Sequence, residues 1–348
     1  MRFLSKLFSK QSELKLILFA LFVLIVMTLL TLYARAIKIQ PMIQRDLHRL
    51  QASQNMPVRQ LTNNPSLQKF LSQHPVYLVM TSIPSRIDRV PDILNIIDKT
   101  FIHEIIVSLP YTLKRTGQAY HIPTSLPNIE KVRILRTNED YGPITKLLPA
   151  LLEIHKTQKN AIVIVIDDDH FYPKGLVQEF IYAFWKSDQK TAFSGGVGQF
   201  GDHTQPPLLY EVDLDTLHDV WPDDNPQLLH GAYAMGLFSH HVDTQWIQMA
   251  LKYEQNLGKN DCFLSDDLII STALRQKGIL FSTLKTDFFK RSSILPMEQN
   301  YWSNSLYNLP LSDQRIHTPS GLTCQIRLNQ CLKTLSTLQR DHRPSHQT

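Results

Sequence analysis

Three consecutive carboxylates, Asp167-Asp168-Asp169, follow six apolar residues, Ala161 to Ile166, and precede His170 and Tyr172-Pro173. Adjacent like charges repel, and burial at the mouth of a sheet makes the repulsion worse. A divalent cation relieves it, and hard carboxylate oxygens suit Mg2+ or Mn2+. The plain alternative is a solvated acidic turn in which Asp167 caps a helix starting near Pro173. Position at the carboxyl end of the strongest strand pattern in the chain favours a metal site. A second acidic pair, Asp266-Asp267, follows Ser265 and opens a helical pattern that runs to about Lys277, before Gly278. Ser265 or Asp266 serves as a cap, and two adjacent carboxylates exceed what capping requires.

Other chemistries find less support. Fourteen histidines include no HExxH or paired spacing. Three cysteines, Cys262, Cys324 and Cys331, lack any CxxC zinc spacing. Cys324 and Cys331 could pair, but buried free thiols are the expected state. Ser194-Gly195-Gly196-Val197-Gly198 lacks the spacing of a dinucleotide or phosphate loop and reads as a bend after a strand. The formal charge of +5, from 36 basic and 31 acidic residues, includes no long Lys/Arg run, so no nucleic-acid partner is expected.

Short β-branched runs alternating with helical spacing must position these carboxylates. Val76 to Thr81, Glu104 to Leu109, Val132 to Leu135 and Ala161 to Ile166 read as buried strands. Helical apolar spacing occupies Ile87 to Ile97, and a second apolar face follows Pro143, with Pro149 expected to bend it. The pattern predicts an α/β fold with a doubly wound, mostly parallel sheet, whose ligands bind beyond the carboxyl ends of its strands.

With its position at a strand end, Asp167-Asp168-Asp169 resembles the DxD motif of GT-A-type nucleotide-diphospho-sugar glycosyltransferases. Thr81-Ser82-Ile83-Pro84-Ser85-Arg86 resembles their first nucleotide-binding loop, and Asp140-Tyr141-Gly142-Pro143-Ile144-Thr145-Lys146 the segment before the DxD strand in a subset of them. His230 to Gly236 resembles a loop that packs near the donor sugar. The resemblance covers about Pro75 to Thr318 and implies a hexosyltransferase-like enzyme that uses Mg2+ or Mn2+. Its donor is a nucleotide sugar and its acceptor a glycan or lipid-linked hydroxyl. It implies that Asp167, Asp169 and His317 hold the metal, with Asp168 facing the ribose or the metal's waters. Thr81, Pro84, Arg86, Tyr141, Gly142, Lys146 and Gly231 would contact the donor. Asp266 or Asp267 would deprotonate the acceptor. One alternative is a haloacid-dehalogenase-like phosphohydrolase, which also places DxD after a strand but follows it differently from His170-Phe171. The other is a non-catalytic membrane-tethered nucleotide-binding module.

Leu16 to Ala34 carry no charge, and at about 1.5 Å per residue that run spans roughly the 30 Å of a bilayer's apolar layer. The expected organisation is a basic tail at 1–15, a membrane helix at 16–36, a stalk at 37–74, the catalytic domain at 75–335 and a polar tail at 336–348. Basic residues flank the apolar run on both sides, so charge does not orient it. Absence of an Asn-x-Ser/Thr acceptor leans toward a bacterial or cytosol-facing domain.

Overall fold

The computed structural model describes residues 64–158, 160–195, 234–256 and 265–284, shorter pieces at 24–30, 58–61, 197–199, 227–229, 295–296 and 330–338, and a few isolated positions, Cys262 among them. By chain contacts it divides at Arg49 and Leu50. In the first unit, residues 24–30 are helical and, apart from Val26, exposed, with Leu24, Ile25, Met27, Leu29 and Leu30 facing outward. Among the described residues no helix is long and apolar enough to cross a membrane. Most of the expected span lies outside the described residues.

The second unit is built on a seven-stranded sheet. Its strands are β1 (Val76–Met80), β2 (Ile102–Pro110), β3 (Val132–Thr137), β4 (Ile162–Val165), β6 (Thr191–Ser194), β9 (Met235–Phe238) and β10 (Leu280–Thr283). They lie in the order β10-β6-β9-β4-β1-β2-β3. Among the described residues, four short strands pair outside this sheet: β5 (His170–Phe171) with β11 (Leu295–Pro296), and β7 (Val197–Gln199) with β8 (Gln227–Leu229). β1, β2, β3 and β4 pair in parallel, as does β10 with β6. β9 runs antiparallel to both neighbours, so the sheet is mixed.

Alternate residues of each central strand enter different cores, which is why the strand sequences are apolar throughout. On one face, Tyr77 and Val79 of β1 and Val163 and Val165 of β4 pack with α3 (Leu148–Thr157), α5 (Thr244–Asn256), α6 (Asp266–Gln276) and the helix at 330–338. On the other, Leu78, Met80, Ile162 and Ile164 meet α1 (Pro65–Gln73), α2 (Val90–Ile96) and α4 (Leu176–Lys186).

Four expectations need correction. The domain begins before Pro75: Leu61, Leu67 and Phe70 are core residues, and Arg59 grips Glu179 of α4 with two hydrogen bonds, 2.9 and 3.1 Å long. Residues 336–338, expected in the polar tail, continue the helix at 330–338, and Leu338 is buried. Pro149 sits in the first turn of α3, where its missing N–H costs nothing, rather than inside a helix running on from Pro143. Cys262 is disulfide-bonded to Cys331, both fully buried, so these are not free thiols and the partner of Cys331 is not Cys324.

Candidate active site

β2 and β3 lie to one side of β1, and β4 lies to the other. The chain therefore reverses its winding between β1 and β4, and the loops leaving those two strands face each other across a crevice. The loop after β1 supplies Arg86. Its amide and that of Ile87 both bond Ile83 O, closing a turn through Pro84. The loop after β4 supplies Asp167, Asp168 and Asp169.

Arg86 clamps two of these carboxylates. Its Nη2 lies 2.9 Å from Asp168 Oδ1, and its Nη1 donates to Asp169 Oδ2 at 2.7 Å. Ser82 Oγ donates to Asp168 Oδ2 at 2.6 Å, and His170 Nδ1 lies 2.7 Å from Asp169 Oδ1. Burial pushes the Asp168 carboxyl up, with Arg86 opposing it. Burial also penalises charge on Asp169, but His170 and Arg86 outweigh it and hold that carboxyl well below its ordinary range. Asp167 is aimed by its own backbone, whose N–H donates to the buried Tyr172 hydroxyl at 2.8 Å.

Lys146 ends the 3-10 turn Gly142–Lys146. Gly142 opens that turn at φ 71°, a left-handed conformation that suits glycine. Asp140 fastens the turn by accepting from Gly142 N at 2.8 Å and Lys114 N at 2.7 Å. Lys146 Nζ then stands 2.6 Å from Asp167 Oδ1 and 2.6 Å from Asp266 Oδ2. The first contact is a hydrogen bond. The second is a contact of charge alone, because the buried Asp266 Oδ2 has no aligned donor. Burial alone would lower the Lys146 pKa, but Asp167, Asp266 and Asp267 raise it well above the ordinary value. Lys146 is a fixed cation.

The structure thus brings Thr81, Arg86, Gly142, Lys146, Asp167, Asp168, Asp169 and Asp266 to one cleft. Three expected residues stand back from its lining. Pro84 shapes the turn that carries Arg86, Tyr141 packs beside the core while its N–H donates to Thr145 Oγ1 at 3.0 Å, and the charge of Asp267 acts on Lys146. Gly231 and His317 lie outside the described residues. The cleft also takes in Arg115 and Tyr120, which no motif announced; Tyr120 donates to Ser82 O at 2.9 Å and so braces the first loop.

Among the described residues no three His, Cys, Asp or Glu side chains converge as a metal centre. Arg86 and Lys146 already offset part of the charge of these carboxylates. The donor set still fits a metal that arrives with its substrate. Mg2+ sites of that kind use one or two carboxylates plus phosphate oxygens and water. Asp167 and Asp169, whose side chains are 25% and 17% exposed, are the accessible pair.

No family model matches the chain, and no curated protein matches it. Among solved structures, glucosyl-3-phosphoglycerate synthase from Mycobacterium tuberculosis is similar over 65% of this chain and 76% of that one, with 13% identity and a TM-score of 0.37. Its complex with Mn2+, UDP-glucose and glycerol 3-phosphate is similar over 66% and 76%, with 12% identity and a TM-score of 0.37. A further mycobacterial protein is similar over 65% and 70%, with 12% identity and a TM-score of 0.36. At such values the cleft's own geometry must carry the functional reading.

Proposed function

We propose that the protein is a glycosyltransferase that moves a sugar from a nucleotide-diphosphate donor to an acceptor hydroxyl. The observation that carries this reading is the pair of buried cations, Arg86 and Lys146, set among four carboxylates at the crevice where the sheet reverses its winding. Two fixed positive charges suit a leaving diphosphate, whose negative charge grows as the bond to sugar breaks. Asp167 and Asp169 are the residues that would hold Mg2+ or Mn2+ against that diphosphate, and the ion when bound adds Lewis-acid stabilisation of the leaving group.

Asp266, at the first position of α6, is the candidate base. In a single displacement its carboxylate takes the acceptor's hydroxyl proton while the oxygen bonds to the anomeric carbon. The bond from that carbon to the diphosphate breaks, and the nucleotide departs with the electron pair. Leu24, Ile25, Met27, Leu29 and Leu30, apolar and facing outward, support a membrane anchor. Confinement there suits a lipid-linked or surface-glycan acceptor. The Cys262–Cys331 disulfide supports a catalytic unit that matures in an oxidising compartment, against the cytosol-facing lean drawn from the missing glycosylation acceptor.

The deciding measurement is a thermal-shift screen of UDP, GDP and their sugars with and without Mn2+, since a ligand that binds only the folded state raises its melting point. A nucleoside diphosphate should raise it. No shift with any of them, or a phospho-aspartate trapped at Asp167, would overturn the reading. Asp169→Asn should abolish sugar transfer while leaving the fold intact.

A further inference from the structure

Resting on that reading, we infer that Lys146 masks the base: it holds Asp266 until a nucleoside diphosphate draws it away. Lys146 Nζ is shared between Asp167, on the donor side of the cleft, and Asp266, on the helix proposed to face the acceptor. With Lys146 Nζ 2.6 Å from Asp266 Oδ2, the ammonium occupies one of the approaches by which an acceptor hydroxyl would reach that oxygen. The two contacts differ in kind. Lys146 hydrogen-bonds Asp167, whereas its contact with Asp266 Oδ2 is unaligned and leaves that buried oxygen without a donor. Exchanging the Asp266 contact gives up an ion pair but no aligned hydrogen bond, whereas exchanging the Asp167 contact gives up both. A diphosphate carries more charge than one carboxylate, and Lys146 has a flexible stem at the end of a short turn. Donor binding then uncovers Asp266, which imposes an order: donor first, acceptor second. It also keeps the base covered when there is no sugar to transfer.

Masking makes Asp266 a competitor of the diphosphate for Lys146, which a purely catalytic or structural Asp266 is not. The test is calorimetric titration with UDP or GDP, whichever the screen selects, in the presence of Mn2+. Asp266→Asn should tighten nucleotide binding roughly tenfold while abolishing transfer, in the range of directly coupled neighbours. In a Lys146→Met background the same substitution should change affinity less than about twofold, since the competition is gone. Asp267→Asn, which removes a nearby charge from outside the cleft lining, controls for general electrostatics. Should Asp266→Asn leave affinity unchanged or weaken it, masking is wrong. It is equally wrong if Asp267→Asn tightens binding as much, or if the gain persists without Lys146. Asp266→Ser repeats the cycle if the asparagine variant fails to fold by circular dichroism. Failure of wild-type protein to bind either nucleotide is a different result and removes the glycosyltransferase reading itself.

Discussion

The parallel half of the sheet, β3-β2-β1-β4, and the mixed half, β9-β6-β10, support the cleft by different physics. The parallel half is held at its functional edge by buried charge, with Arg86 across from Asp168 and Asp169. The mixed half relies on close contact and covalent closure. Gly236 of β9 lies so near α4 that a Cβ there would meet Phe180 Cδ1 at 2.5 Å and Phe184 Cε2 at 2.9 Å. The disulfide ties the approach to α6 to the helix at 330–338, and Ser265 N bonds Cys262 O at 2.9 Å just before Asp266. The contrast teaches that one half can respond to an anionic ligand by exchanging ion pairs, while the other must stay rigid to present a carboxylate to it. Lys146, between Asp167 and Asp266, joins the two.

The largest effect should come from breaking the charged side. Arg86→Met leaves a buried carboxylate pair without its cation and should cost about 3–5 kcal/mol, read by urea denaturation. Asp168, already pushed up by burial and then without Arg86 to oppose it, should bind a proton at higher pH than in the wild type, visible as proton uptake on folding. A loss below about 1 kcal/mol would mean that the clamp contributes little and the halves do not differ as described.

Removing the covalent closure comes next. Cys262→Ala with Cys331→Ala opens a loop with a sequence separation of 69 and should cost about 4 kcal/mol by chain entropy. It should also lower kcat more than donor affinity, because Asp266 sits beyond the tether. Equal losses in both would place the disulfide on the donor side. Gly236→Ala forces Phe180 and Phe184 aside and should cost about 1–3 kcal/mol, with the melting temperature falling and nucleotide affinity retained.

The smallest effect is a pH dependence confined to the mixed half. Burial holds the imidazole of His241 down at about 4 against an ordinary 6.5, despite its 2.8 Å contact with Gln189 O. The unfolded chain takes up this proton as pH falls below about 6.5, but the folded chain does so only near 4. Acid therefore favours unfolding between those values, and the stabilisation is complete only above the higher one. His241→Gln should flatten the fall in melting temperature between pH 6.5 and 4. An unchanged slope would assign the acid sensitivity to other groups.

Much of the parallel half was legible because each strand, loop and helix there is contiguous in sequence. The apolar run to Ile166 ends where the carboxylates begin, and the turn at Gly142 lies within a loop-forming Asp-Tyr-Gly-Pro. Arg115 and Tyr120 were not legible, since they sit in the long connection from β2 to β3 without a motif. The antiparallel insertion of β9 was hidden as well: four buried residues, Met-Gly-Leu-Phe, carry no mark of strand direction. The pairing of Cys262 with Cys331 could not be read from spacing, because chain separation does not reveal which residues meet.

By itself the sequence determined where charge enters the fold. Apolar runs make strands, and the three carboxylates that end the run of β4 fall at its carboxyl end, where water or ligand can meet them. Only the tertiary structure decided which charge faces which. Ion pairing depends on distance and local dielectric, and both are set by strand order rather than by position along the chain. The sheet's reversal between β1 and β4 brought Arg86 to Asp168 and Asp169, and the packing of α6 brought Asp266 to Lys146.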